Sequence, residues 1–338
     1  MTESPQSYPA YLSLLASGEL ERRAEAAREI LRNCVLCARH CRVDRLVSVA
    51  GAACRTGELA LVSAVHPHHG EESVLSGSRG SGTIFFGSCN LRCQYCQNWE
   101  ISQSSLGREA GPEELAEMML ELEQHGCHNL NLVSPSHVIA PILAGLAIAA
   151  RRGLTLPVVY NTGGYDSPEG LALLDGVVDV YMPDMKYGDS AAGRLYSGIR
   201  DYASVNRAAV REMHRQVGDL VLDDSGIARR GLLVRHLVLP ASLANSGRVF
   251  RFLAEEISRD TYVNVMDQYH PAHRAIRFPP LDRSITPREF ERALALADKY
   301  GLRRANPGGR VPAVAENVRI FMRPRALERG NNRFRQPG

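Results

Sequence analysis

Hydrophobic positions in this chain follow two rhythms. Short, mostly apolar runs occupy 84–86, 129–133, 156–160, 177–182, 232–239 and 262–266, and each reads as a strand covered on both faces. Between the runs, apolar residues recur every three or four positions, the period of a helix with one buried side. In 112–125 that stripe is Leu115, Met118, Met119 and Leu122, behind Pro112 and two acids in the first turn. In 201–217 it is Val205, Ala209, Met213 and Val217. Segments 20–31, 138–151, 168–174 and 245–258 read as further helices, and 220–229 as a hairpin turning at Asp223–Gly226. Thr286 and Glu289 form a capping box for a last helix that stops at Gly301. Six strands alternating with helices predict an α/β fold built on a parallel sheet.

Composition narrows the class. Of 338 residues 44% are apolar and 23% charged, the balance of a soluble globular protein. The longest apolar candidate, 138–150, falls short of the ~20 residues that cross a bilayer and ends in Arg151-Arg152. The first ten residues lack the basic-then-apolar order of a secretory signal. Eight cysteines clustered by spacing therefore point to metal binding in a reducing cytoplasm rather than to disulfides. A net charge of +3 gives no argument for nucleic acid. Residues 76–82, rich in glycine and serine, predict a flexible connector and the best boundary between a cysteine-rich region, 1–80, and a barrel, 81–302. The tail, 303–338, carries nine arginines against Glu316 and Glu328. It is expected to wrap the barrel or stay partly unstructured rather than to bind nucleic acid.

The chemistry collects around cysteine. Cys89, Cys93 and Cys96 follow the first strand in the spacing C-x3-C-x2-C. Thiolates suit iron–sulfur clusters and zinc; three on one loop would hold three irons of a [4Fe–4S] cubane and leave the fourth open. Zinc sites more often show paired C-x2-4-C knuckles, and no second knuckle follows here. Upstream, Cys34, Cys37, Cys41 and Cys54 make a complete four-thiolate set for zinc or a second [4Fe–4S] cluster, among Arg39, Arg42, Arg45 and Arg55. Segment 64–72, AVHPHHGEE, could ligate a metal or line an active-site mouth; histidines beside proline and glycine are more often plain loop residues, and that is the expectation. Cys127 stands alone and is expected to be structural. Polar residues stand after the strands: Ser134–His137, Asn161–Tyr165, Pro183–Lys186, Pro240 and Asp267–Pro271. In parallel barrels such loops converge on one mouth.

The cysteine loop, placed just past a strand and with Tyr95 before its third cysteine, resembles the signature of the radical S-adenosylmethionine (SAM) superfamily. That resemblance implies a partial (β/α)6 barrel in which the open iron holds the amino and carboxylate groups of SAM. An electron from the cluster would then cleave SAM to a 5′-deoxyadenosyl radical. The runs NTGGY, PDMK, VRHLVLP and QYHP resemble the strand ends of pyruvate formate-lyase activating enzymes. The N-terminal cysteines with GEE and GSGTIFF resemble the PflX-type homologues of that activase. Matched by motif, Asn161, Asp184, Lys186, Arg235 and His270 would hold SAM, with Asp184 on the ammonium or ribose hydroxyls and Lys186 or Arg235 on the carboxylate. Ser134 stands where many members have a Gly-Gly-Glu turn, and Asn161 where the activases carry aspartate. The resemblance further implies an electron donor such as flavodoxin or ferredoxin, and hydrogen abstraction from a glycine of a partner protein. A radical SAM enzyme acting on a small molecule or peptide is the second expectation, and a non-catalytic metal-binding scaffold the third.

Overall fold

A computed structural model describes residues 8–104, 106–307 and 319–320. Its strands, in chain order, are β1 (Ala60–His68), β2 (Ser81–Phe86), β3 (Arg108–Ala110), β4 (Leu130–Val133), β5 (Val158–Thr162) and β6 (Val180–Pro183), followed by β7 (Val221–Leu222), β8 (Ala228–Leu237), β9 (Tyr262–Met266), β10 (Arg304–Pro307) and β11 (Arg319–Ile320). Among the described residues they form one sheet in the order β10-β9-β8-β6-β5-β4-β2-β1-β11, with β3 beside β1 and β7 beside β8. From β2 to β10 every neighbouring pair is parallel, while β1 runs antiparallel to β2. All six predicted strands are present, and helices Pro112–Gln124, Ile139–Arg151, Pro168–Leu174 and Tyr202–Val217 join them as crossovers. The sheet is a partial barrel, as the resemblance implies, and its covered parallel strands are those the apolar runs foretell.

Alternate strand residues face alternate sides. Leu132, Val158, Tyr160, Tyr181, Leu232, Val234, Val263 and Val265 pack outward in one core with the covering helices. The intervening residues, Asn131, Val159, Asn161, Met182, Leu233, Arg235 and Asn264, face the barrel interior. Asn264 on β9 donates to Glu72, just past β1, so the sheet curls far enough to bring its two sides together.

Three expectations are corrected. Segment 64–72 is loop only from residue 69 on: 60–68 forms β1, with His66 opposite Thr83 and His68 opposite Ser81. Residues 76–82 are not a flexible connector but the end of a helical turn, Ser73–Ser76, and the start of β2. That turn seats Val74 and Leu75 against Val159, Val180, Met182 and Leu233, where it plugs the N-terminal end of the barrel. Helix Glu19–Ile30 adds Leu20 and Ala27 to the outer core, so the region before residue 80 shares its packing with the barrel. Finally, 303–307 belongs to the sheet through β10; the rest of the basic tail lies outside the described residues, apart from 319–320. No helix among the described residues is long and apolar enough to cross a membrane.

Two buried histidines tie strand ends to neighbouring loops. His236 donates from Nδ1 to Met185 O at 2.7 Å and accepts at Nε2 from Ser246, while His137 Nε2 donates to Gly87 O. Burial lowers both, His236 to about 4 and His137 to about 3, from an ordinary 6.5. Each folded value is depressed, so their stabilisation is complete above the ordinary value and is lost as pH falls toward the folded one. From each the loss is on the order of 3 kcal/mol. Urea unfolding between pH 7.5 and 4.5 should show this decline, and His236→Gln should flatten it. An unchanged slope in that variant would refute the assignment.

Candidate active site

The cysteine loop hangs from the C-terminal end of β2. Cys89, Cys93 and Cys96 are neighbours in space as well as in sequence, and the Lys186 ammonium bears on all three. Burial pushes each thiol above its ordinary value. Donors surround the sulfurs: Ser197 Oγ lies 3.0 Å from Cys93 Sγ, Ser102 Oγ 3.3 Å from Cys96 Sγ, and Leu91 N donates to Cys89 at 3.4 Å. Such donors stabilise thiolate once a metal displaces the proton. Among the described residues, no three His, Cys, Asp or Glu side chains form a ready-made single-ion cage. The donor set, soft sulfur on one loop with N–H and O–H groups turned toward it, fits a cluster.

Opposite the loop, the strand ends carry one charged network. Asp184, just past β6, takes Lys186 Nζ at 2.6 Å and Arg235 Nε at 3.0 Å; Arg235 Nη2 reaches Asn161 Oδ1 at 2.7 Å. Burial alone would raise the Asp184 carboxyl, but Arg235 and Lys186 outweigh it and hold it below its usual value. Arg235 and Lys186 are held charged against burial, chiefly by Asp184. Helix Tyr202–Val217 braces this corner. Tyr202 OH bonds Gly163 O, Asp184 O and Lys186 N, and Asn206 Nδ2 bonds Gly164 O and Asp184 O. Gly164 has φ +73°, and a Cβ there would lie 2.2 Å from Asn206 Nδ2. Only glycine lets the helix approach so closely.

Between the two lies a cavity of about 190 Å³ lined by Cys93, Tyr95, Cys96, Asp184, Lys186 and Arg235, with Gln97, Leu237, Met266 and Gln268 completing it. The fold thus gathers Tyr95, Asp184, Lys186 and Arg235 beside the cysteines, with Asn161 one bond away. Tyr95 is buried edge-on against Tyr187 and Tyr269. His270 is not in the network: it is exposed at the rim, 3.1 Å from Gln97. Ser134 sits at φ +60° in the turn after β4, its N–H on Asn161 O. Sequence reasoning missed Tyr202 and Asn206, whose signal was only the polar spacing within a helix. It also left Glu71 and Glu72 undecided, and they lie inside the barrel.

The N-terminal cysteines pack against the same mouth. Cys37 bridges to Asp166 beyond β5, and Cys34, Cys41 and Cys54 are its neighbours. Arg45, buried, points Nη1 at Cys34 Sγ, 3.4 Å away. Arg39 donates to Asn90 O and Leu91 O, the backbone between Cys89 and Cys93.

Residues 83–215 match the family described as the Radical SAM superfamily. Uncharacterized protein MJ0674 of Methanocaldococcus jannaschii is 33% identical over 293 residues, 84% of this chain and 79% of its own. Uncharacterized protein MJ0808 of the same organism is 27% identical over 234 residues, 65% of this chain and 61% of its own. Among solved structures, HydG, a maturase of the [FeFe]-hydrogenase, superposes with a TM-score of 0.44 at 12% identity, over 90% of this chain and 60% of that one.

Proposed function

We propose that this chain, whose residues 83–215 match the Radical SAM superfamily, is an iron–sulfur enzyme whose Cys89, Cys93 and Cys96 hold a [4Fe–4S] cluster and whose strand-end network holds SAM. One observation carries this reading: Lys186, Asp184 and Arg235 line the cavity that Cys93 and Cys96 line from the other side. When bound, the reduced cluster and SAM supply a 5′-deoxyadenosyl radical that removes a hydrogen atom from a substrate C–H bond. The rest is the work of side chains. Asp184, kept anionic, accepts from the ammonium or ribose hydroxyls of SAM, and Lys186, beside the sulfurs, faces its carboxylate. Tyr95, Leu237 and Met266 present apolar surface that excludes water. Arg235 and Asn161 orient Asp184, and Ser134 and His270 flank the mouth.

Cys34, Cys37, Cys41 and Cys54 belong to the same proposal as a second centre, zinc or [4Fe–4S], that anchors the cysteine loop through Arg39. A flavodoxin- or ferredoxin-type donor in a reducing cytoplasm would supply the electron. Resemblance to the activases makes a glycine of a partner protein the first substrate reading. The plugged barrel with carboxylates inside supports a second, a small polar molecule.

The test is anaerobic. Reconstituted, reduced protein given SAM should release 5′-deoxyadenosine slowly without substrate, and Cys89/Cys93/Cys96→Ala should release none. Colourless protein holding only zinc, or no 5′-deoxyadenosine from the parent with any reductant, would return the chain to a metal-binding scaffold.

A further inference from the structure

The barrel interior below Arg235 holds charge that the cysteine site does not use. The turn that plugs the barrel lifts Glu71 and Glu72 inside it. Glu71, its side chain 8% exposed, lies 3.9 Å from Arg235 Nη1, on a guanidinium already bonded to Asp184 and Asn161. Glu72 Oε1 accepts from Asn264 Nδ2 at 2.8 Å, leaving Glu72 Oε2 and Asn264 Oδ1 buried without partners. A second observation is independent of the acids. Asn131 on β4 is 0% exposed, and neither its amide nitrogen nor its oxygen has a partner. Its neighbours Leu130 and Leu132 pack in the outer core, so Asn131 faces the interior, level with Thr83 and Val159.

Native proteins rarely leave such atoms unpaired unless something fills the space. Three of the four orphans are acceptors, two of them beside a buried carboxylate pair. The cation that could have answered an anion is already engaged.

We infer that this interior is a binding site for the primary ammonium group of a small substrate, received by Glu71, Glu72 and Asn264 with Asn131 orienting its neighbouring polar group. This rests on the radical SAM reading for its role as the substrate half of the active site. The chain Cys93–Lys186–Asp184–Arg235–Glu71 links the two halves, so a substrate so held lies directly below the SAM cavity.

The pair also gives the site a pH signature. Burial, and then Glu72, raise Glu71 to about 7, against the lowering pull of Arg235 and His68. His66 stands opposite Thr83 on the adjoining strand. At neutral pH Glu71 still carries part of its proton, which an arriving ammonium displaces, so binding releases a proton and strengthens as pH rises.

The experiment uses the full chain and n-butylamine, with n-butanol and butyrate as shape controls, followed by calorimetry in buffers of differing ionisation enthalpy. Butylamine should bind with proton release, about tenfold more tightly at pH 8 than at pH 6, and the controls should not bind. Glu72→Gln and Asn131→Leu, each checked for an intact thermal transition, should weaken it about tenfold or more. Equal binding of butanol or butyrate, unchanged binding by both variants, or no butylamine binding would overturn the inference and leave the orphaned atoms to ordered water. SAM cleavage on the same preparation separates the two readings. Cleavage without amine binding removes only this site, while amine binding without cleavage removes only the radical SAM role.

Discussion

Asp184→Ala is expected to lower the unfolding free energy by about 3–5 kcal/mol, the usual cost of stranding buried charge. The carboxylate is the shared counter-ion of Lys186 and Arg235, whose side chains are 21% and 19% exposed. Without it, two cations line one cavity, with Asn161, Glu71 and Glu72 left near Arg235 and Cys93 near Lys186. Binding should suffer as well: each charge-assisted hydrogen bond lost to SAM is worth roughly 1.5–3 kcal/mol, or about ten- to a hundredfold in affinity. Asp184→Asn keeps the shape but not the charge, so it should fall between parent and alanine in stability and near alanine in SAM affinity. The cluster should survive in both, since the hydrogen bonds of the Asp184 carboxylate go to Lys186 and Arg235 and not to the sulfurs. Denaturant unfolding and equilibrium dialysis against SAM read the two effects separately. Parent-like SAM affinity in both variants would remove Asp184 from the cofactor site.

That network was legible in the sequence because charged residues immediately after an apolar strand have few places to go. Asp184 and Lys186 stand two apart past β6, and Arg235, with His236, interrupts the apolar run 232–239, so all three had to meet near the mouth. The brace was not legible. Tyr202 and Asn206 lie about twenty residues further on, and nothing local shows a helix turning its polar side back onto a strand end. β1 was misread for a chemical reason. Pro67 and the histidines around it look like loop, yet the ladder of β1 to β3 covers 60–62 and that to β11 covers 64–65. At Pro67 only the β2 side is paired, so a missing N–H is tolerated, as on an edge strand. Once β1 was taken for loop, Glu71 and Glu72 lost the geometry that carries them inside. Spacing found the residues that touch the cysteines; it could not find those that reach the barrel by plugging it.

Stripping the second centre proposed at Cys34, Cys37, Cys41 and Cys54 should have the largest effect on local order. Burial, and to a lesser degree the three neighbouring thiols, push the Cys37 thiol up to about 12, so Cys37 keeps its proton at neutral pH until a metal displaces it. A structural centre of this kind contributes on the order of 10 kcal/mol to the folding of the segment that ligates it. Arg45 is committed to that segment through Cys34 Sγ, Thr56 O, Gly57 O and His137 O, and Ala53 N points at Cys41 Sγ. Loss of the centre should therefore expose 34–57 to hydrogen exchange while the strands from β4 to β9 stay protected. Because Arg39 holds the backbone at Asn90 and Leu91, the cysteine loop should loosen too, and SAM affinity should fall although no SAM contact has changed. In Cys89/Cys93/Cys96→Ala, metal analysis should still find one zinc or one cluster's iron, and Cys37→Ser/Cys41→Ser in that background should abolish it. A folded triple variant containing no metal, with 34–57 fully protected, would mean that these four cysteines pack as thiols and that Arg39 alone anchors the loop.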